Sequence, residues 1–213
     1  MTPSSSEIEA RVGAYYAGRL AEHGATARGV DWNGEPSQHL RFEQLLRVVG
    51  DGGSLNDWGS GYGALVDWLD AQGLALDYCG YDIAPGMVAA ASERYAGRPG
   101  VRFTADEQAV GVADYTVASG IFNVRAGASD EEWSAYMAAT LERMAAVSRR
   151  GLAFNVLTSY SDADRMEERL HYADPCRWFD WCKRTLARDV ALLHDYGLYE
   201  FTMLVRFDEG GTA

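Results

Sequence analysis

Asp57-Trp58-Gly59-Ser60-Gly61-Tyr62-Gly63 places three glycines at alternate positions between two patterned segments. Before it, Ser54 to Trp58 reads as a short strand. After it, Leu65, Val66, Trp68 and Leu69 recur at helical spacing. Glycines at a strand end let the backbone reverse sharply and approach a ligand closely. A strand, a glycine turn and a helix in that order open the first unit of a doubly wound α/β sheet. Ligands of such sheets collect at the carboxyl ends of the strands.

Upstream, Gly50-Asp51-Gly52-Gly53 stops a helix that starts near Ser37 and carries Phe42, Leu45, Leu46 and Val49 on one face. Residues 24–36 read as a loop, with Gly24, Gly29, Gly34 and Pro36. Ser6 and Glu9 have the spacing of a capping box. The helix they predict carries Ile8, Val12, Tyr15 or Tyr16, and Leu20.

Downstream, strand and helix patterns alternate. Ala75 to Tyr81 is a second strand, and Pro85 suits the first turn of the next helix. Val101 to Phe103 and Tyr115 to Ser119 are third and fourth strands. Ser129 and Glu132 form another capping box, ahead of a helix whose last turn is assigned Arg149 and Arg150, with Gly151 after it. Leu152 to Leu157 is a fifth strand, and Asp174-Pro175 starts a further helix. Val190 to His194 and Leu198 to Phe207 flank Asp195-Tyr196-Gly197 as an antiparallel hairpin. The expected fold is therefore a single seven-stranded Rossmann-like sheet, mostly parallel, with a C-terminal antiparallel hairpin and helices on both faces. All 213 residues form one domain, with residues 1–36 as a cap and residues 158–186 as a substrate lid and helix.

Composition narrows the partners. Lys plus Arg is 19 against 31 for Asp plus Glu, a formal net charge of −12. That balance repels phosphate backbones and anionic lipid, so the expected partner is a small molecule and not nucleic acid or membrane. No apolar run approaches the roughly 18 to 20 residues of a membrane span. There is no signal-peptide pattern, and Cys79, Cys176 and Cys182 form neither an even framework nor a CxxC pair. A cytoplasmic location is expected. His23, His39, His171 and His194 lack metal-ligand spacing, so no metal is expected.

The glycine pattern also satisfies the dinucleotide fingerprint, with Ala64 in its last small position. Charge separates the candidates. Asp57, two residues before the first glycine, disfavours a pyrophosphate and favours a cation. Here the chain resembles the class I methyltransferases that use S-adenosyl-L-methionine (SAM), whose signature is an acid followed by G-x-G-x-G. Gly80-Tyr81-Asp82-Ile83-Ala84-Pro85-Gly86-Met87 resembles that family's second element, an acid followed by a small residue, Pro and Met. The resemblance runs from about Ser37 to Phe207, and Asn56 departs from it, standing where the family has an aliphatic residue.

The resemblance implies a SAM site, with S-adenosyl-L-homocysteine (SAH) as product. Asp57, Gly59, Ser60, Gly61 and Gly63 form its loop, and Asp82 with Ile83 meets the ribose. Asp106 or Glu107 takes the adenine position, and Ser119 and Gly120 lie beneath the methionine moiety. Tyr15 or Tyr16, on a helix that covers the cofactor in relatives, gives a sulfonium a cation–π contact of about 1 to 2 kcal/mol when dry. Arg41 offers a fork for the methionyl carboxylate. Trp32, Asn33, Asn123, Tyr160 and Tyr172 are candidates for the substrate side, and Asn123 could equally form a turn. His171 is the candidate general base.

The expected activity is methyl transfer from SAM to an O, N or C nucleophile of a small metabolite. The alternatives are a SAM-dependent cyclisation or elimination, a non-catalytic SAM-binding partner protein, and an NAD-linked oxidoreductase.

Overall fold

A computed structural model describes residues 5–32 and 34–208. Among them seven strands form one sheet: β1 (Gly53–Trp58), β2 (Leu76–Tyr81), β3 (Val101–Thr104), β4 (Ala113–Ala118), β5 (Ser148–Leu157), β6 (Asp189–Leu193) and β7 (Glu200–Arg206). Their order is β3-β2-β1-β4-β5-β7-β6. β1 to β5 pair in parallel, while β7 lies antiparallel between β5 and β6. The helices are α1 (Ser5–His23), α2 (Glu35–Leu46), α3 (Ala64–Ala71), α4 (Pro85–Arg94), α5 (Asp130–Ala146) and α6 (Pro175–Thr185).

Alternating side chains send the sheet's residues into two cores. On β5, Phe154 and Val156 join Trp133, Met137 and Leu141 of α5 and Trp178 of α6 on one face. Ala153, next to Phe154 in the strand, faces Phe42 and Leu45 of α2 and Leu65 and Leu69 of α3 on the other. With both faces covered, a central strand buries residues at successive positions, and Leu55 to Trp58 of β1 are all buried, the polar Asn56 and Asp57 included. Each fully buried large side chain, such as Phe154 or Leu45, contributes roughly 1.5–3 kcal/mol.

The expected sheet is the observed one; most strand ends shift by a residue or two, and some helix and strand starts differ more. α1 already includes Ser5, so Ser6 lies inside the helix and is not its cap. The segment 24–36 contains a 3-10 turn at Ala27–Val30, and α2 starts at Glu35, because Pro36 fits a first turn that has no use for its missing N–H. Arg149 and Arg150 belong to β5, since pairing of Ser148 with Ala113 extends that strand back to the end of α5. Arg143 is the base in the last turn of α5. At the other end of α5 the capping box is present, with Ser129 Oγ accepting from Glu132 N and Glu132 Oε2 accepting from Ser129 N. Asn56 places its amide on Gly111 O at 2.9 Å, which satisfies the polar group inside β1. Cys79 and Cys182 are buried, Cys176 is exposed, and all three are free thiols.

Candidate active site at the carboxyl edge of the sheet

Beyond β1 the chain turns on Gly59, with φ 82°, and Gly61, with φ 54°. A Cβ at Gly59 would lie 2.2 Å from Ile121 Cγ2, so the loop rests directly on the segment following β4. The N–H groups of Gly59 and Ser60 both donate to Tyr81 O, at 2.7 and 2.9 Å, which ties the turn to the end of β2. Gly61 N donates to Asp82 Oδ2 and Ala84 N to Asp82 Oδ1, each at 2.8 Å. Asp82 thus holds the glycine loop and the start of α4 at once.

Asp57 and Asp82 are both buried. Burial pushes the Asp82 carboxyl up to about 6, against the pull of its two backbone donors. Burial also pushes Asp57 up to about 7; Tyr78, donating to Asp57 Oδ2 at 2.6 Å, opposes the rise, and the charge of Asp82 adds to it. These groups border a cavity that opens to solvent. Its floor is the glycine loop, Ile83, Ser119, Gly120 and Ile121, and its roof includes Val12 and Tyr16 of α1, Val30 and Trp32. Among the described residues, no Lys, Arg or His lines it. Among the described residues, the buried hydroxyls Ser60 Oγ and Ser119 Oγ have no hydrogen-bond partner.

The roof is tied down at both ends. Arg143 of α5 meets Glu9 of α1 at 2.8 Å and Glu107 at 3.2 Å. Toward the other end of α1, Arg19 meets Asp31 at 2.7 Å, and the Tyr15 hydroxyl donates to the same carboxylate. Arg169 reaches across from the segment after β5, donating to Tyr15 Oη at 2.8 Å and approaching Asp31 at 3.5 Å. Asp31 sits at φ 62°, an uncommon conformation for a residue with a side chain, and this cluster holds it there.

Of the residues singled out in the sequence, Asp57, Gly59, Ser60, Gly61, Asp82, Ile83, Ser119, Gly120 and Trp32 come together around the cavity. Gly63 stands just behind them as the N-cap of α3. Other candidates are placed elsewhere. Asp106 caps the 3-10 turn Glu107–Ala109, and Glu107 faces Arg143. Tyr15 belongs to the Asp31 cluster, where burial pushes its hydroxyl up to about 12, while its neighbour Tyr16 faces the cavity. Arg41 pairs with buried Glu200 of β7 at 2.8 Å. Asn123 is buried and accepts from Leu157 N at 3.2 Å, Tyr160 is exposed near His194, and the Tyr172 hydroxyl accepts from Glu167 N. His171 is buried near Trp133 and lies outside the cavity lining. Burial pushes its imidazole down to about 4. Asn33 falls outside the described residues.

Sequence reasoning missed Val12, Val30, Phe42, Tyr62, Tyr81 and Tyr136 as cavity residues. Tyr62 and Tyr81, like Trp58 and Met87, carried a signal, because they stand inside the two quoted motifs. The others belong to apolar or aromatic patterns that look the same whether a side chain fills a core or walls a cavity. Among the described residues, no group of three or more His, Cys, Asp or Glu is placed to hold a metal ion, and no helix is long and apolar enough to cross a membrane.

No family model matches the sequence. A Mycobacterium tuberculosis (strain ATCC 25618 / H37Rv) protein named "Putative methyltransferase Rv1506c" is 56% identical over 163 residues, which span 76% of this chain and 98% of that protein. Among solved structures, a 1,6-didemethyltoxoflavin-N1-methyltransferase from Burkholderia thailandensis, with 1,6-didemethyltoxoflavin and SAH bound, superposes with TM-score 0.65 at 17% identity, covering 96% of this chain and 90% of that one. The DhpI–SAH complex gives TM-score 0.62 at 16% identity, with 94% and 97% covered. These two likenesses concern the fold; the closer sequence relative carries the kinship. The chain belongs to the methyltransferase family and has the class I fold.

Proposed function

We propose that the cavity binds SAM and that the protein transfers its methyl group to an O, N or C nucleophile of a small metabolite. The observation that carries this reading is the pair Asp57 and Asp82, two buried carboxylates beside a glycine loop, with no cationic side chain among the described residues of the cavity wall. A buried charge without a partner is costly, and such a site favours a ligand that brings positive charge and hydroxyl donors while excluding a diphosphate. The partnerless hydroxyls of Ser60 and Ser119 add two polar groups for it to meet. When bound, SAM supplies a methyl carbon activated by the sulfonium.

The chain's own residues then bind, orient and exclude water. Asp82 suits the ribose hydroxyls, and the Gly59–Gly61 turn lets backbone come close to the ligand. Tyr16, Trp32 and Phe42 wall the cavity against solvent. Burial pushes the Tyr16 hydroxyl far above its ordinary value, so it serves as a hydrogen-bond donor and not as a base. A small acceptor is supported by the covered cavity and by the net charge of −12, which opposes a nucleic acid.

Calorimetry with SAM and SAH, on the native protein and on Asp82→Ala, tests the cofactor. Binding by the native protein and at least a tenfold loss in the variant is the expected result. No native binding, or equal affinities, rejects it. Incubation with methyl-labelled SAM and a cell extract then identifies the acceptor by mass spectrometry, whereas methylthioadenosine as product points to a cyclisation or elimination.

A further inference from the structure

Arg41 of α2, Glu200 of β7 and Asn155 of β5 form one buried chain of hydrogen bonds that ends on the cavity. Arg41 Nε donates to Glu200 Oε2 at 2.8 Å, and Asn155 Nδ2 donates to Glu200 Oε1 at 2.9 Å. Gly120 N donates in turn to Asn155 Oδ1 at 2.7 Å. The Glu200 side chain is 0% exposed and that of Arg41 9%. The Arg41 guanidinium also donates to Ser37 O at 2.8 Å and lies 3.9 Å from the centre of the Trp32 ring. The far edge of that indole rests on Gly120, where a Cβ would come within 2.2 Å of it. The contacts close a ring, and its two cavity-facing members are Gly120 and Trp32.

Stability alone is a poor account of this arrangement. Burying an ion pair costs desolvation that the attraction between the charges does not reliably recover, and an apolar pair would join α2 to β7 as well. What the ring adds is direction. A carboxylate can only accept hydrogen bonds. Asn155 must therefore turn its NH₂ toward Glu200 and its carbonyl toward Gly120, and Arg41 holds the charge that imposes this order.

We infer that Arg41, Glu200 and Asn155 are positioning residues: they set the hydrogen-bond polarity at the end of β4 and seat the Trp32 indole in the cavity wall. Gly120 needs such an anchor because it sits at φ 71°, where its peptide has no strand partner to orient it. What the cavity holds rests on the function proposed above; the ring itself does not.

The test swaps donor and acceptor between Glu200 and Asn155, and the double variant does so at constant charge. Glu200→Gln can donate as well as accept, so it no longer imposes the Asn155 orientation. Asn155→Asp sets two carboxylates face to face. Each single variant is expected to weaken SAH binding about tenfold and to speed hydrogen exchange at the Gly120 amide. In the double variant the new amide donates to the new carboxylate, which again accepts from Gly120. SAH affinity should then return to within about threefold of native. Melting temperatures measured alongside separate positioning from stability. A lowered Tm with unchanged SAH affinity and unchanged Gly120 exchange overturns the inference, as does a double variant no better than the worse single one. Failure of the native protein to bind SAH removes the proposed function instead, and the Gly120 amide still reads the polarity in every variant. Should the singles not fold, Arg41→Lys keeps the charge and loses the flat face over Trp32. It is expected to preserve Gly120 protection while weakening SAH, and unchanged SAH affinity overturns the role given to Trp32.

Discussion

Tyr78 on β2 donates its hydroxyl proton to Asp57 on β1 across 2.6 Å, and both side chains are buried. The bond favours the ionised carboxylate and so opposes the upward push of burial. Asp57, at about 7, and Asp82, at about 6, therefore lose their protons where a cationic ligand has most to gain. SAM affinity should rise between pH 5.5 and 8. SAH lacks the sulfonium charge and should rise less. Tyr78→Phe removes the opposing bond and moves the midpoint of the SAM profile upward. Titration calorimetry across that range checks all three, and a Tyr78→Phe profile superposed on the native one rejects the assignment of Asp57.

Stability of the ligand-free protein should respond to pH through the same carboxylates in the opposite sense. Both are raised above their ordinary value of 3.8, so the folded state holds protons that the unfolded state has released. Their contribution is full below about pH 4 and is lost as pH climbs through 6 and 7. Asp57→Asn removes the cost of the buried charge and should stabilise the ligand-free protein at pH 8 by on the order of 1–3 kcal/mol while weakening SAM binding. Denaturant melts of the two proteins at pH 8 measure the difference.

His171 acts on the acid side. Its imidazole is lowered from 6.5 to about 4, so its contribution is present above pH 6.5 and is lost as pH falls toward 4. His171→Gln should flatten the stability profile over that interval. Because the ring lies outside the cavity lining, SAH affinity at pH 8 should stay within about twofold of native. A large loss of affinity without loss of stability would restore His171 to the active site.

Gly59→Ala introduces a side chain at φ 82° and 2.2 Å from Ile121 Cγ2. It should cost about 2 kcal/mol or more and abolish SAH binding. Gly18→Ala offers the contrast, since its Cβ position in α1 meets no described atom within 4 Å beyond its chain neighbours and the helix's own nearby backbone. There alanine should stabilise by about 0.5 to 1 kcal/mol with binding retained. Thermal melts with and without SAH compare the two.

The roof gives a kinetic prediction. Arg169 is 46% exposed and Arg19 27%, so solvent screens each contact with Asp31 and each is worth less than about 1 kcal/mol. Arg169→Ala should speed SAH release a few-fold, and added salt should narrow the gap between variant and native protein. Stopped-flow dissociation at low and high salt measures it; a salt-independent rate in the native protein would count against an electrostatic tie.

The sheet and the floor of the cavity were legible because local chemistry specifies them. The glycine turn, the Asp82 element and the Ser129–Glu132 cap each lie within a few consecutive residues. The roof was not legible. Tyr15 and Tyr16 are adjacent on α1, and only the packed helix shows that Tyr16 faces inward while Tyr15 meets Asp31. Arg41 suits a free carboxylate as well as it suits Glu200, and 159 residues separate the two in the chain. The start of β5 was misplaced because pairing with Ala113 overrode a helical pattern running through Arg149 and Arg150.

α1 precedes every strand in this sequence, yet two of its footholds, Arg143 and Arg169, are supplied by segments far downstream. During synthesis the cover must wait for its seat until more than half of the sheet has emerged. Maturation of the protein should therefore end with the docking of its leading helix, and a nascent chain halted before Arg143 should leave that helix open to protease.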